Sequence, residues 1–173
     1  MVVDKVRSRY RIQLLNSIKA CGRDKDLCKA RHIHASILEK KLFVKDVYIA
    51  TSLITTYAKC GALEKAREVF EQIPNPDIVT WNALIFGYAQ KGRGNEVLNC
   101  LKQMRDLGGI CPDRVTYISI LKGCGLSWSL ELGEYIDVEV RKQGLLQKDI
   151  EIGNTLVAMY SKCGALEKAW QVF

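Results

Sequence analysis

Several things are scarce in this chain, and each scarcity removes a class of protein. Proline occurs three times in 173 residues, which excludes a collagen-like or proline-rich disordered chain. No apolar run approaches the roughly 18 residues that a membrane-spanning helix requires, so the expectation is a soluble chain with no membrane partner. The first ten residues, Met1 to Tyr10, are basic but contain no apolar signal core, and Asp4 argues against a well-formed transit peptide. That leaves a leader ahead of Met1 open. None of the seven cysteines, at 21, 28, 60, 100, 111, 124 and 163, has the Cys-x-x-Cys spacing of a zinc or redox site. Their odd number suits a reducing compartment.

What is present describes an ordered protein: 48% hydrophobic and 26% charged residues. The net charge of +7 favours a polyanionic partner, although ordinary solubility accounts for it equally well.

The strongest signal is an internal repeat. Lys59-Cys-Gly-Ala-Leu-Glu-Lys-Ala66 returns unchanged as Lys162-Cys-Gly-Ala-Leu-Glu-Lys-Ala169, 103 residues on. Tyr57 pairs with Tyr160 at the same separation, as do Asp46 with Asp149 and Cys21 with Cys124. Aspartates at 46, 77, 113 and 149 each stand directly ahead of a helical pattern. They divide the chain into a flanking segment, 1–10, and pieces 11–46, 47–77, 78–113, 114–149 and 150–173, lengths proper to helical hairpins.

Inside each piece apolar residues recur at i, i+3, i+4 and i+7, as in Ala50, Leu53, Ile54 and Tyr57, or Trp81, Leu84, Ile85 and Tyr88. Gly61, Gly92 and Gly164 follow these helices at one phase, where a left-handed residue ends a helix. A second apolar stripe comes next, Leu63, Ala66, Phe70 and Ile73 in one case. One hairpin cannot bury both stripes, whereas stacked neighbours can. The expected fold is an all-α solenoid, a superhelix of helix-turn-helix repeats whose concave wall is built from first helices. The last piece stops inside its second helix at Phe173, so the sequence reads as a fragment.

These residues resemble a known family. Val79-Thr-Trp-Asn-Ala-Leu-Ile-Phe-Gly-Tyr-Ala-Gln-Lys-Gly92 resembles the first helix of a pentatricopeptide repeat. Tyr57-Ala-Lys-Cys-Gly61 and its counterpart Tyr160-Ser-Lys-Cys-Gly164 are similar to the family's short variant. Val115-Thr-Tyr-Ile-Ser-Ile-Leu-Lys-Gly-Cys124 and Lys29-Ala-Arg-His-Ile-His-Ala35 are similar to its long variant. The order long, short, standard, long, short resembles the plant subfamily of alternating repeats, whose members are mostly RNA-binding proteins of mitochondria or chloroplasts. Many of them are specificity factors for cytidine-to-uridine editing.

The resemblance implies single-stranded RNA as partner and one base read per repeat by the fifth and last residues. Those residues are Thr51 with Asp77 for guanine, Asn82 with Asp113 for uracil, and Asn154 for a pyrimidine. The long pieces offer Leu15 with Asp46 and Ile118 with Asp149; an aliphatic fifth residue forms no hydrogen bond, so these pieces are expected to space the RNA rather than read it. Lys59 and Lys162 either contact phosphate, as in the family, or complement the helix dipole. An aspartate ahead of a helix is also a favoured N-cap, which competes with reading as the role of all four.

No cofactor, DNA or enzymatic activity is expected of the chain by itself. Editing members carry or recruit a zinc deaminase with His-x-Glu and Cys-x-x-Cys strings, and neither string occurs here. In this reading an editing deaminase domain or an accessory editing protein is a possible partner, with a deaminase downstream of Phe173, or none at all, left open. The alternative is a protein-binding scaffold of tetratricopeptide type, and a metal-dependent nuclease ranks last. His32 and His34 point to different faces of a helix and form no metal pair. Cys21, Cys60, Cys124 and Cys163 read as small buried fillers, and Trp81 and Tyr88 as core. Gly92-Arg-Gly94 lacks the Lys-Ser or Lys-Thr of a phosphate loop.

Overall fold

A computed structural model describes residues 2–39, 46–106 and 109–172. Among these residues every regular element is an α-helix: α1 (Val2–Asp24), α2 (Leu27–Glu39), α3 (Val47–Lys59), α4 (Leu63–Glu71), α5 (Ile78–Ala89), α6 (Gly94–Asp106), α7 (Arg114–Ser127), α8 (Leu130–Lys142), α9 (Ile150–Lys162) and α10 (Leu166–Trp170). The odd-numbered members are the first helices of five hairpins. The helix α1 runs through residues 2–10 as well as into the first piece. Tyr10 stands where the other pieces have their aspartate, so nothing there stops the helix from continuing.

Residues Met1–Leu84 and Ile85–Phe173 form two units, with the division inside α5. In the first unit α1 lies against α3, α2 packs on both, and α3 closes on α4. The apolar stripes meet there: Ile18, Ile37, Leu53, Ile54, Tyr57 and Ala66 are all at most 1% exposed. Each large side chain removed from water in this way contributes about 1.5–3 kcal/mol. The Phe70 and Trp81 rings meet at 4.4 Å. Polar groups entering this core find partners; Thr56 donates its hydroxyl hydrogen to the Ile18 carbonyl at 3.0 Å.

The second unit repeats the plan, with α7 against α9, α8 on both, and α9 closed on α10. Contact between first helices is tightest at Gly123, where a Cβ would stand 2.4 Å from Ala89 Cβ and 2.9 Å from the Gln90 backbone nitrogen. Only a residue without a side chain permits this approach. The Ser127 hydroxyl joins the same two helices by donating to the Ala89 carbonyl at 2.9 Å.

Position for position, the two units keep a geometry and change its chemistry. In the first, His34 on α2 meets the Tyr57 hydroxyl at 3.0 Å. In the second, 103 residues on, Asp137 on α8 accepts from the Tyr160 hydroxyl at 2.8 Å and from Arg141 Nε at 2.7 Å. The turn after each first helix behaves similarly. Gly61, Gly92 and Gly164 have positive φ as their phase implies, and Lys25 and Trp128 hold the same left-handed place at φ 54° and 59°. A side chain there costs roughly 1–2 kcal/mol. Among the predicted fillers, Cys21 and Cys124 are buried, while Cys60 and Cys163 are only half-buried. Burial pushes the Cys124 thiol up to about 12.

Gly123→Ala should lower stability by about 1–3 kcal/mol, the usual range for forcing an extra methyl group into a close-packed contact, measured by urea unfolding. Burial holds His34 below the ordinary histidine range, so below about pH 6.5 the unfolded chain binds the proton more readily. Stability is accordingly complete above that pH and declines as pH falls toward the lowered folded value. Melting temperatures across that window should show the decline, and His34→Phe should flatten it.

Candidate nucleic-acid interface

Each boundary aspartate commits one oxygen, Oδ1, to the helix that follows. Asp46 Oδ1 accepts from the Tyr48 amide at 3.1 Å and Asp149 Oδ1 from the Glu151 amide at 2.9 Å. Asp77 Oδ1 accepts from the Thr80 amide and Asp113 Oδ1 from the Thr116 amide, both at 2.8 Å. All four are N-caps, which contribute about 1 kcal/mol apiece.

The second oxygen, Oδ2, divides the four into two kinds. Asp46 Oδ2 accepts from Arg11 Nε and Asp149 Oδ2 from Arg114 Nε. These hydrogen bonds hold both carboxyls below the ordinary carboxylate range. Asp77 and Asp113 are different: among the described residues no donor reaches their Oδ2.

The aspartates with an open oxygen are backed by a threonine three residues on. Thr80 Oγ1 donates to Asp77 Oδ1 at 2.6 Å, and Thr116 Oγ1 lies 2.9 Å from Asp113 Oδ1. In the first unit this bridge extends to another reading candidate, because Thr51 Oγ1 lies 3.2 Å from Thr80 Oγ1. Thr80 is fully buried, and it ties Thr51 to Asp77 in a chain of hydroxyls ending at the carboxylate. The single hydroxyl hydrogen of Thr51 has two acceptors in reach, Thr80 Oγ1 and the Val47 carbonyl at 2.8 Å.

The remaining candidates stand separately. Asn82 is half-buried, with its Oδ1 shielded and accepting no hydrogen bond among the described residues. Asn154 is exposed on the first turns of α9. Lys59 and Lys162 are the last residues of α3 and α9 and are exposed. Their stems lie along glycine backbone: a Cβ on Gly22 would come within 3.4 Å of Lys59 Cδ, and one on Gly125 within 3.1 Å of Lys162 Cδ. In the long pieces Leu15 is half-buried and Ile118 is 6% exposed. His32 is exposed while His34 is buried, and Trp81 and Tyr88 lie in the core.

The structure adds residues that the sequence reading did not single out. Thr80 and Thr116 form part of an Asp-x-x-Thr signal, a relative of the capping box, that was legible. An exposed apolar side chain also occupies the second residue of successive pieces: Ile12, Tyr48, Val79 and Val115. Each falls outside the buried i, i+3, i+4 stripe, which is the signal that could have marked it.

Stacked helical hairpins with this internal period define a class, the helical-repeat proteins. A pentatricopeptide-repeat crystal structure from maize, that of PPR10, superposes on 92% of this chain at a TM-score of 0.65 and 24% identity, covering 23% of its own chain. The fold is an α-solenoid. Two models of the pentatricopeptide repeat match the sequence, one over residues 76–125 and one over 48–75 and 154–173. Together they cover more than half of it, and the chain belongs to the pentatricopeptide-repeat family.

Similar proteins of Arabidopsis thaliana include a chloroplastic member, 36% identical over 90% of this chain, and a mitochondrial member, 35% identical over its full length. The chain spans 25% and 17% of those two relatives.

Thr80→Val keeps the shape of the side chain while removing the hydroxyl that joins Thr51 to Asp77. It should cost about 1.5–3 kcal/mol, since a hydrogen bond to a charged acceptor is lost. Urea unfolding measures the loss, and Thr80→Ser should recover most of it.

Proposed function

We propose that this chain binds single-stranded RNA along its first helices, one base to a hairpin, as the specificity part of an organelle RNA-editing or RNA-processing factor. The observation that carries this reading is the Thr51, Thr80 and Asp77 chain. A carboxylate that needs only Oδ1 to cap its helix keeps Oδ2 as an acceptor at the head of that helix. Capping and reading are then compatible roles for one side chain.

The chemistry of such an acceptor restricts the base. A carboxylate accepts and does not donate, so placed at the ring nitrogen of the pairing edge it serves guanine and uracil, which carry an imino N–H there, and meets a bare acceptor in adenine and cytosine. Thr51, by analogy with the family, turns the choice at this hairpin to guanine. The exposed Val79 two residues beyond Asp77 offers an apolar contact to the flat face of the same base, while the carboxylate meets its edge. Asn82, Asp113 and Asn154 are the further readers in this proposal. Lys59 and Lys162 supply phosphate contacts, their stems fixed on glycine backbone and their ammonium groups exposed. Chloroplastic and mitochondrial relatives support an organelle location, and a deaminase or accessory editing protein would supply the chemistry.

Electrophoretic shifts should show preference for single-stranded over duplex RNA, with affinity falling as salt rises because lysine and arginine release counterions from phosphate. Asp77→Asn keeps a competent cap, since asparagine and aspartate rank alike there, and adds an amide able to donate to the adenine ring nitrogen. Competition among RNAs differing at that nucleotide should move from guanine toward adenine by about 1 kcal/mol, the low end for a good side-chain contact to a base. Absence of binding to any single strand at low salt would favour a protein scaffold. An unchanged base preference in a folded Asp77→Asn protein would reduce Asp77 to a cap.

A further inference from the structure

The two kinds of boundary aspartate differ in one neighbour. Where the first residue of the piece is aliphatic, as Val47 and Ile78 are, the aspartate closing that piece, Asp77 or Asp113, has no donor on Oδ2 among the described residues. Where it is arginine, the closing aspartate is held by it. Arg114 Nε donates to Asp149 Oδ2, its Nη2 lies 3.5 Å from Asp149 Oδ1, and the same Nη2 donates to Glu151 Oε2 at 2.5 Å. Lys122 Nζ approaches the other Glu151 oxygen at 3.7 Å. The first unit has the same clasp 103 residues earlier, with Arg11 Nη2 donating to Asp46 Oδ1 at 2.9 Å and Nε to Oδ2. Arg11 also lies over the Tyr48 ring at 5.2 Å.

We infer that Arg114 is a specificity-determining residue that silences the fourth hairpin by occupying the Asp149 oxygen otherwise open to a base, and that Arg11 does the same to Asp46 in the first. This deepens the proposed function and rests on it. An aliphatic fifth residue was the reason to expect these hairpins to be non-readers, but Ile118 alone does not explain it. Asp149 would still present an acceptor to any imino N–H, and it would still favour guanine and uracil.

The guanidinium removes that residual preference in two ways. It fills the space in front of Oδ2, and it makes a charge-assisted bond, about twice as strong as a bond between neutral groups, that an imino N–H would have to displace. Glu151 and Lys122 complete a cluster of two cations and two carboxylates, so the clasp adds no net charge and leaves little pull on phosphate. The fourth hairpin is thereby able to accommodate any nucleotide. The clasp residues Arg114, Lys122 and Glu151, with Ser119, form the polar side of a 290 Å³ cavity, and Phe86, Val115 and Ile118 form the side that offers a base apolar contact.

The test exchanges the first residues of two hairpins. Arg114→Val installs the residue found at Val47 and should create, at the nucleotide facing the fourth hairpin, about a fivefold preference for guanine and uracil over adenine and cytosine, where wild type discriminates less than about twofold. Val47→Arg, placed to clasp Asp77, should flatten the guanine preference at the second hairpin to under about twofold without abolishing binding. Competition binding with RNAs that differ at one nucleotide reads both. Melting curves, and carbon-detected titration of the Asp149 carboxyl, which should return toward the ordinary range in Arg114→Val, establish that the variants fold and that the clasp is gone.

A folded Arg114→Val with a freed carboxyl and unchanged indifference at the fourth nucleotide overturns the inference. So does a Val47→Arg protein that keeps its guanine preference. If wild type binds no single-stranded RNA, the functional proposal itself falls, a result distinct from either.

Discussion

A carboxylate has two oxygens, and at the start of α3, α5, α7 and α9 one of them belongs to the helix. That commitment is the constraint on which much else here depends. It starts each of these four helices at a defined residue, which sets the phase of the apolar stripe and hence the face that stacks. It also fixes where the other oxygen sits. Whatever fills or leaves open that second position, a guanidinium in two cases and no donor among the described residues in the other two, is decided without disturbing the fold.

The 103-residue period shows how much variation the scaffold accepts. A neutral imidazole and a carboxylate take equivalent buried places beneath tyrosine hydroxyls, at His34 and Asp137. The carboxylate brings its own counterion, Arg141, one helical turn on. Burial disfavours charge, and the two solutions are to keep the group neutral or to pair it. Lys25 and Trp128 likewise hold a left-handed position that three other turns give to glycine. Hydrogen bonding around that turn is similar in both kinds, as with the Ala62 and Ser129 amides donating to the Tyr57 and Cys124 carbonyls.

The helices and their pairing were legible because they follow from local periodicity: each boundary aspartate and each glycine at the turn is read within a few residues. The clasps were not, because Arg11 and Asp46, or Arg114 and Asp149, are separated by 35 residues and no period within one helix connects them. Thr80 escaped notice for another reason. Lying three residues beyond Asp77, it carries a local signal as a capping partner, but not as the link to Thr51, which arrives from the preceding first helix. The left-handed Lys25 and Trp128 were illegible because propensity argues against both. Five equal phases, rather than residue type, would have revealed them.

The division of the thiols has a practical side. Cys28 and Cys111 are exposed, one in each unit, whereas Cys21, Cys100 and Cys124 are buried. Mild alkylation at neutral pH therefore has a ready target in each unit, and the high thiol pKa at Cys124 keeps that sulfur protonated and slow to react. Fluorophores on Cys28 and Cys111 would report the span between the two units, and how it changes when a polyanion is added, with no engineered cysteine.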